Sequence, residues 1–542
     1  MSTRLLFTRS CALAIFSGLV WFAAGCCTVP VPVTKSKGTL SGQEIAAGRF
    51  QPTWESLKRY EVPEWFRDAK FGIWAHWGPQ CEPEQGDWYA RGMYQEGSAQ
   101  NKFHVAHYGP PSKFGFKDVI HEWKAENWDP DKLVALYKRA GAQYFFALAN
   151  HHDNFDNWDS KYQPWNSVNM GPKKDLIGGW AKAARANGLR FGVSVHAAHA
   201  WSWYEPSQKF DGNLTKADGK GQWWEGLDPQ DLYAQNHTPG KKLEWDWDVA
   251  KGSSVPDAAY CEKFYNRTVD LVNKYRPDLI YFDDTALPLW PISDVRLKIA
   301  AHFYNSNPQG VLFGKVLDAE QRKCMTWDIE RGASNRIEPL PWQTDTCIGS
   351  WHYDRNIYER HRYKSAKTVI QTLADVVSKN GNLLLSVPVR ADGTIDSDEV
   401  AVVEGIAKWM DVNRESIFGT RPWKVFGEGP ASEGAPIKAQ GFNEGKGKPF
   451  TAEDVRFTTK GDILYAILLG WPGENGTVIK TLATNSPYVV GKKITDVSLL
   501  GYEGKLDWSQ DEQGLKVKMP EKQPCDHAFA LKIEGVLARL TE

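Results

Sequence analysis

The sequence predicts an α/β fold: a (β/α)8 barrel of the TIM type over residues 49–420, followed by a C-terminal β-sandwich domain over residues 421–542. Three observations carry this prediction. Between about residues 65 and 413 one unit recurs: an amphipathic helix, a Gly or Asn stop, an apolar run and a polar cluster. The apolar runs are nearly continuous, as parallel strands buried on both faces require. After Trp423 the helical periodicity ends, and short apolar runs alternate with Gly, Asn and Asp turns. That second pattern is the mark of a small all-β module.

The first strand, residues 71–74, leads into Ala75-His76-Trp77-Gly78-Pro79. A doubly wound open sheet would carry a Gly-rich phosphate loop there, and none is present. The next unit starts at Asn127-Trp128-Asp129-Pro130, with Asp129 as N-cap and Pro130 in the first turn. Leu133, Val134, Leu136, Tyr137 and Ala140 share a face, Gly141 stops the helix, and residues 144–148 form a strand ending in Asn150-His151-His152-Asp153. Residues 175–187 repeat the helix, and 189–195 the strand, with His196 after it. Residues 260–275 form a helix broken by Arg276-Pro277, and strand 278–282 ends in Asp283-Asp284. Helix 366–379 and strand 383–387 complete the series. Alternation of this kind implies a parallel sheet with helices outside, and functional groups at the strands' C-terminal ends.

A net charge of −1 provides no field for nucleic acid or an acidic membrane. The chain has 25 tryptophans. Core packing accounts for many, and stacking on the apolar faces of sugars is the second reading. Arg4 and Arg9 precede an apolar stretch, residues 11–24, too short to span a bilayer. It ends in Phe22-Ala23-Ala24-Gly25-Cys26, which resembles a bacterial lipoprotein signal. Residues 1–26 are therefore expected to direct export, with lipid on Cys26 as the only membrane attachment, in the periplasm or on the outer membrane. Plain secretory cleavage is the alternative. Residues 27–48 read as a tether. The remaining cysteines are scattered without a C-x-x-C pair, which disfavours zinc and a dense disulfide framework. One or two disulfides are allowed by an oxidising compartment.

Three strand ends offer chemistry: His76, His151-His152-Asp153, and Asp283-Asp284. His and carboxylate at strand ends suit a metal hydrolase, yet no His-x-His or His-Glu-x-x-His occurs. Adjacent His151 and His152 on an extended chain are expected to diverge. The competing chemistry is glycoside hydrolysis by two carboxylates, one attacking the anomeric carbon and one protonating the leaving oxygen. Asp283 fits a nucleophile on a rigid strand, and equally fits a cap of the next segment.

A family pattern bears on that choice. The matches are Lys70-Phe71-Gly72-Ile73-Trp74-Ala75-His76-Trp77-Gly78, Asp87-Trp88-Tyr89, His151-His152-Asp153 with Trp158-Asp159-Ser160, and Pro277-Asp278-Leu279-Ile280-Tyr281-Phe282-Asp283. Asn380-Gly381-Asn382-Leu383-Leu384-Leu385, Asp392-Gly393 and Ser416-Ile417-Phe418-Gly419-Thr420-Arg421-Pro422-Trp423 follow in order. Together they resemble the α-L-fucosidases of glycoside hydrolase family 29. The resemblance implies Asp283, not Asp284, as nucleophile. It implies His76, His151 and His152 as sugar-binding histidines, and Asp87, Trp88, Tyr281, Arg331 and Trp342 as further substrate contacts. No metal or organic cofactor is implied.

Two departures stand out. Many members carry Glu directly after the loop Trp as general acid/base, but here Pro341-Trp342-Gln343 places an amide, which cannot transfer a proton. Glu330 is the first replacement, with Asp345 and Glu338 behind it, or Glu330 is an ion-pair partner of a nearby Arg. Where relatives have aromatics after the strand at Phe191, this chain has Ser194-Val195-His196. His196 replaces the sugar contact or is a core histidine. Trp201, Trp203, Trp223 and Trp224 lie in a long loop that could bind the leaving sugar. The resulting expectation is a retaining exo-α-L-fucosidase acting on fucosylated oligosaccharides or glycoproteins, with Trp or Phe receiving the fucose methyl. An α-L-galactosidase and a non-catalytic fucose-binding lipoprotein are the alternatives.

Overall fold

The computed structural model describes residues 44–432, 441–489 and 491–537. The predicted signal, Cys26 and Cys27 lie outside the described residues. Eight parallel strands close into a barrel in sequence order. They are β1 (Phe71–Ala75), β2 (Tyr144–Asn150), β3 (Arg190–Val195), β4 (Leu279–Phe282), β5 (Val311–Gly314), β6 (Thr326–Glu330), β7 (Trp342–Cys347) and β8 (Gly381–Ser386). Closure is direct: on β1, Phe71 pairs with Leu383 of β8 and Gly72 with Tyr144 of β2.

Strand residues alternate between two apolar environments, as a period of two demands. Trp74, Tyr144, Phe146, Leu279, Tyr281, Val311, Phe313 and Leu384 plug the barrel. Phe71, Ile73, Phe145, Ile280, Phe282, Leu312, Leu383 and Leu385 face the surrounding helices. Gly72 is required by this plug, because a Cβ there would lie 2.2 Å from the Tyr144 ring. The helices form where their signals stand. In Pro130–Arg139 the Asp129 carboxylate accepts from the Lys132 N–H at 3.0 Å. The chain then leaves the helix through Gly141 at φ +100°.

Eight further strands follow among the described residues: β9 (Arg421–Glu428), β10 (Val455–Lys460), β11 (Ile463–Leu468), β12 (Thr477–Ile479), β13 (Asp496–Leu499), β14 (Asp507–Asp511), β15 (Gly514–Lys518) and β16 (Phe529–Glu534). They form an antiparallel sheet in the order β13-β16-β11-β10-β9 and a second in the order β12-β15-β14. Buried polar contacts fix them to the barrel's last helices. Trp409 Nε1 donates to Ala528 O at 2.8 Å, and Gln371 Nε2 to Leu469 O at 2.7 Å. Arg456 Nε and Lys379 Nζ grip the Asp375 carboxylate at 2.6 and 2.7 Å.

Among the described residues no helix is long and apolar enough to cross a membrane. Cys81, Cys261, Cys324, Cys347 and Cys525 are free thiols, so the disulfides that an oxidising compartment allows do not form between them.

Candidate active site

The two-residue alternation continues past the strand ends and selects the functional groups. Leu279 and Tyr281 point into the barrel, and Asp283 continues that face. Val311 and Phe313 point inward, and Lys315 follows them. On β6 Trp327 and Ile329 face outward, which turns Asp328 and Glu330 inward. β7 carries Asp345 opposite Glu330 in register. Trp74 leads to His76 in the same way. His76, Asp283, Lys315, Glu330 and Asp345 line a cavity of about 630 Å³ at the C-terminal mouth of the barrel, a size suited to a small ligand, while Asp328 lies deeper and accepts from Gln343.

Charge concentrates on one side. The Lys315 ammonium donates to both Asp283 and Glu330. His196 Nδ1 donates to Asp283 Oδ2 at 3.0 Å. Burial opposes the charge of Asp283, yet Lys315, His196 and His152 together hold its carboxyl well below the usual range. Burial pushes the Glu330 carboxyl up to about 7, against Lys315 and with help from the Asp283 charge. Asp345 is also raised by burial, against the pull of Lys315. Burial works against the Lys315 charge as well, but Asp283 and Glu330 outweigh it and hold the ammonium well above its ordinary value.

The other side is a cage of imidazoles. Ring centroids of His76 lie 5.2 Å from His151, 5.0 Å from His196 and 4.7 Å from His352. Gln80 Nε2 donates to His151 Nδ1 at 2.9 Å, leaving His151 Nε2 as the donor of the neutral ring. His152 Nδ1 donates to the His196 carbonyl at 2.7 Å, and its Nε2 lies 3.2 Å from Asp283 Oδ2. Burial keeps His76 and His151 well below the usual imidazole range and lowers His152; it brings His196 to about 4, against the pull of Asp283. Neither ring nitrogen of His76 or His352 has a hydrogen-bond partner in the protein, although His352 Nδ1 lies 3.6 Å from Asp87. Unpaired buried nitrogens of this kind need a polar ligand.

His151 and His152 do not diverge. β2 ends at Asn150, both residues lie in the turn beyond it, and their rings are 4.4 Å apart. Two sets, His151-His152-His196-Asp283 and His76-His151-His352, bring ligand atoms within 4.8 Å of one another. Lys315 already bonds Asp283, and a metal ion beside that ammonium would be repelled. The donors of that first set fit sugar hydroxyls better than a cation.

Of the sequence-selected residues, His76, Asp87, Trp88, His151, His196, Tyr281, Asp283, Glu330, Arg331 and Asp345 line the cavity. His152 touches Asp283 just behind them. Asp87 accepts from the His352 N–H at 2.7 Å. Trp342 does not reach the cavity. It opens β7 on the outward face, packs with Trp327, Ile329 and Val376, and donates to Lys379 O at 2.9 Å. Glu338 lies beside Pro339 and Trp342, away from the cavity, and is held by Arg322 and Arg336 at 3.2 Å each. Gln343 is fully buried, donates to Asp328 at 2.8 Å and accepts from the Tyr144 hydroxyl at 2.9 Å. Asp284 turns away from the inward face, with its Oδ1 3.2 Å from His199 Nε2. The expected leaving-sugar tryptophans are structural. Trp201 stacks on His237, Trp223 on His121, Trp224 packs in the core, and Trp203 is buried behind Trp88 and His152. The cavity instead takes Trp245, Lys315, Val316, Trp351, His352 and Phe442. Lys315 was detectable from the strand alternation; the others come from loops without periodicity.

Comparison with known proteins identifies the family. The family model described as α-L-fucosidase matches residues 39–415, and the α-L-fucosidase C-terminal domain model matches residues 448–534. Tissue α-L-fucosidase of Mus musculus is 28% identical, over 91% of this chain and 96% of its own length. That of Homo sapiens is 28% identical, over 90% and 92%. The solved Thermotoga maritima α-fucosidase in complex with fucose is 27% identical, with TM-score 0.66, and covers 90% of this chain and 100% of its own. These matches lend no support to an α-L-galactosidase or a non-catalytic binder. The chain belongs to the α-L-fucosidase family of glycoside hydrolases.

Proposed function

We propose that this α-L-fucosidase is a retaining exo-enzyme in which Asp283 is the nucleophile and Glu330 the general acid/base. The observation that carries this reading is the single ammonium of Lys315 bonded to both carboxylates. Two oxygens that share one hydrogen-bonding nitrogen lie within about 6 Å of each other. Retaining glycosidases separate their carboxyls by about 5–5.5 Å, whereas inverting ones need about 6.5–9.5 Å to admit water.

The two groups enter the reaction in the required states. Asp283 is ionised and attacks the anomeric carbon, while Glu330 is protonated below about pH 7 and gives its proton to the glycosidic oxygen. Esterification removes the Asp283 charge, which had raised the Glu330 carboxyl, and leaves Lys315 paired with Glu330 alone. The Glu330 pKa therefore falls, and the residue turns from acid to base. It then deprotonates the water that releases fucose with retained configuration. His76, His151, His152, His196, Asp87, Tyr281 and Arg331 bind the sugar hydroxyls, and Trp74, Trp88 and Trp351 supply apolar surface for the methyl group. The substrates are terminal α-L-fucosyl residues of glycans or glycoconjugates. Residues 1–26 support export as a bacterial lipoprotein.

Azide separates the roles. With Asp283→Ala, hydrolysis should be lost and azide should yield the β-fucosyl azide. With Glu330→Ala, cleavage of poor leaving groups should fall by roughly 10²–10⁴, and azide should yield the α-fucosyl azide. Wild-type rates in Asp283→Ala would end the mechanism. An unimpaired Glu330→Ala on poor leaving groups would move the acid/base to Asp345.

A further inference from the structure

We propose that Phe442 and Val316 form the seat of the leaving group and take the apolar face of a pyranose ring joined to fucose. The inference rests on the roles assigned to Asp283 and Glu330. Large apolar side chains are seldom left exposed together without a purpose. Phe442 is 60% exposed and Val316 71%, and both line the cavity.

Their backbone attachments place them beside the acid/base. The Phe442 N–H donates to Glu330 O at 2.8 Å, and the Glu444 N–H donates to Arg331 O at 2.9 Å. Phe442 is held at φ +58°, a conformation uncommon for a bulky residue. Its segment is secured further by the Glu444 carboxylate, which accepts from Thr346 Oγ1 at 2.9 Å and pairs with Lys364 and Arg331. Val316 directly follows Lys315, and both of their N–H groups donate to Thr285 O, at 2.8 and 3.0 Å.

Chemistry says what should lie there. The acid that protonates the glycosidic oxygen stands where fucose meets its leaving group, so the surface bordering that acid faces the departing sugar. A pyranose presents a C–H face to an aromatic ring and hydroxyls at its edge. Arg331 and Thr285 line the same cavity and can meet those hydroxyls. Trp88 and Trp245 belong to the histidine side, with ring centroids 6.3 and 5.2 Å from His152.

The test compares two substrates on the full chain. α-L-Fucosyl fluoride has a one-atom leaving group that cannot use the seat, whereas an α-fucosyl-galactose disaccharide can. Phe442→Ala should lower the ratio of kcat/KM for disaccharide over fluoride by about ten-fold, and Phe442→Trp should restore it. A ratio unchanged by Phe442→Ala, or a wild type that cleaves the fluoride but not the disaccharide, would overturn the seat and leave the fucosidase reading standing. A wild type that cleaves neither would instead remove the reading beneath it.

Discussion

The two sides of the barrel mouth are made from different chemistry. The segments after β1, β2 and β3 contribute imidazoles: His76, His151, His152 and His196. The ends of β4 to β7 contribute Asp283, Lys315, Glu330 and Asp345. Burial acts on both sides with opposite results. It strips charge from the histidines, whose pKa values fall. On the acidic side it raises Glu330 and Asp345, while Lys315 keeps Asp283 ionised. One side therefore offers neutral hydrogen-bonding groups, which the proposed mechanism uses for recognition. The other holds the charges it assigns to reaction.

The largest blow to this division should come from Lys315→Met, which removes the cation that both carboxyls share. We expect kcat/KM at the optimum to drop on the order of a hundred-fold, the usual cost of losing one charge-stabilising group. The direction of the pH change is more telling. In the proposed mechanism turnover needs Asp283 ionised and Glu330 protonated. Wild-type activity should therefore decline as pH rises through about 7, and its acid limb should lie below the usual carboxylate range. Lys315 lowers both carboxyls, so its loss should move both limbs of the kcat/KM profile to higher pH. Lys315→Arg should return them toward the wild-type positions. A merely structural lysine would scale the curve without shifting it.

The two sides were not equally legible in the sequence. The histidines belong to contiguous motifs, His76 after Lys70-Phe71-Gly72-Ile73-Trp74-Ala75 and His151-His152 after an apolar strand, so residues near in sequence marked them. The barrel was legible for the same reason, because each helix–strand unit is local. The acidic side is assembled from single residues on four strands. The family resemblance chose Asp283 over Asp284, and alternation along residues 279–283 agrees with it. Applied to Val311, Phe313 and Lys315, alternation would also have marked the lysine, which read alone is an ordinary surface cation. The same rule turns Trp342 outward and excludes it from the pocket. The rest had no local signal. Trp245, His352 and Phe442 reach the cavity from loops far apart in the chain, and only tertiary packing brings them together. The expected divergence of His151 and His152 failed because the strand stops at Asn150, before either histidine.

A smaller effect should come from the neutral side. His151 does not touch Asp283, and its Nδ1 is fixed by Gln80. His151→Phe removes one uncharged donor from the sugar, which should lower kcat/KM by about ten-fold. Both limbs of the pH profile should stay where they are. A moved limb would mean that the imidazole cage carries charge during turnover and would erase the contrast between the two sides.

The smallest effect on catalysis should come from Trp342→Phe. Strand alternation and the position at the start of β7 place this indole among Trp327, Ile329 and Val376, with its N–H on Lys379 O. Phenylalanine keeps most of the apolar contact but leaves that carbonyl without its donor and a small void beside it. Chemical denaturation should show a loss of about 1–3 kcal/mol, while kcat/KM and the inhibition constant of free fucose should remain within about two-fold, the variation expected of a residue remote from the site. The argument is strict, because a one-residue shift on β7 exchanges the two faces. If Trp342→Phe weakened fucose binding instead, Trp342 would face the pocket, Asp345 would face the helices, and the assignment of the whole acidic side would have to be redrawn.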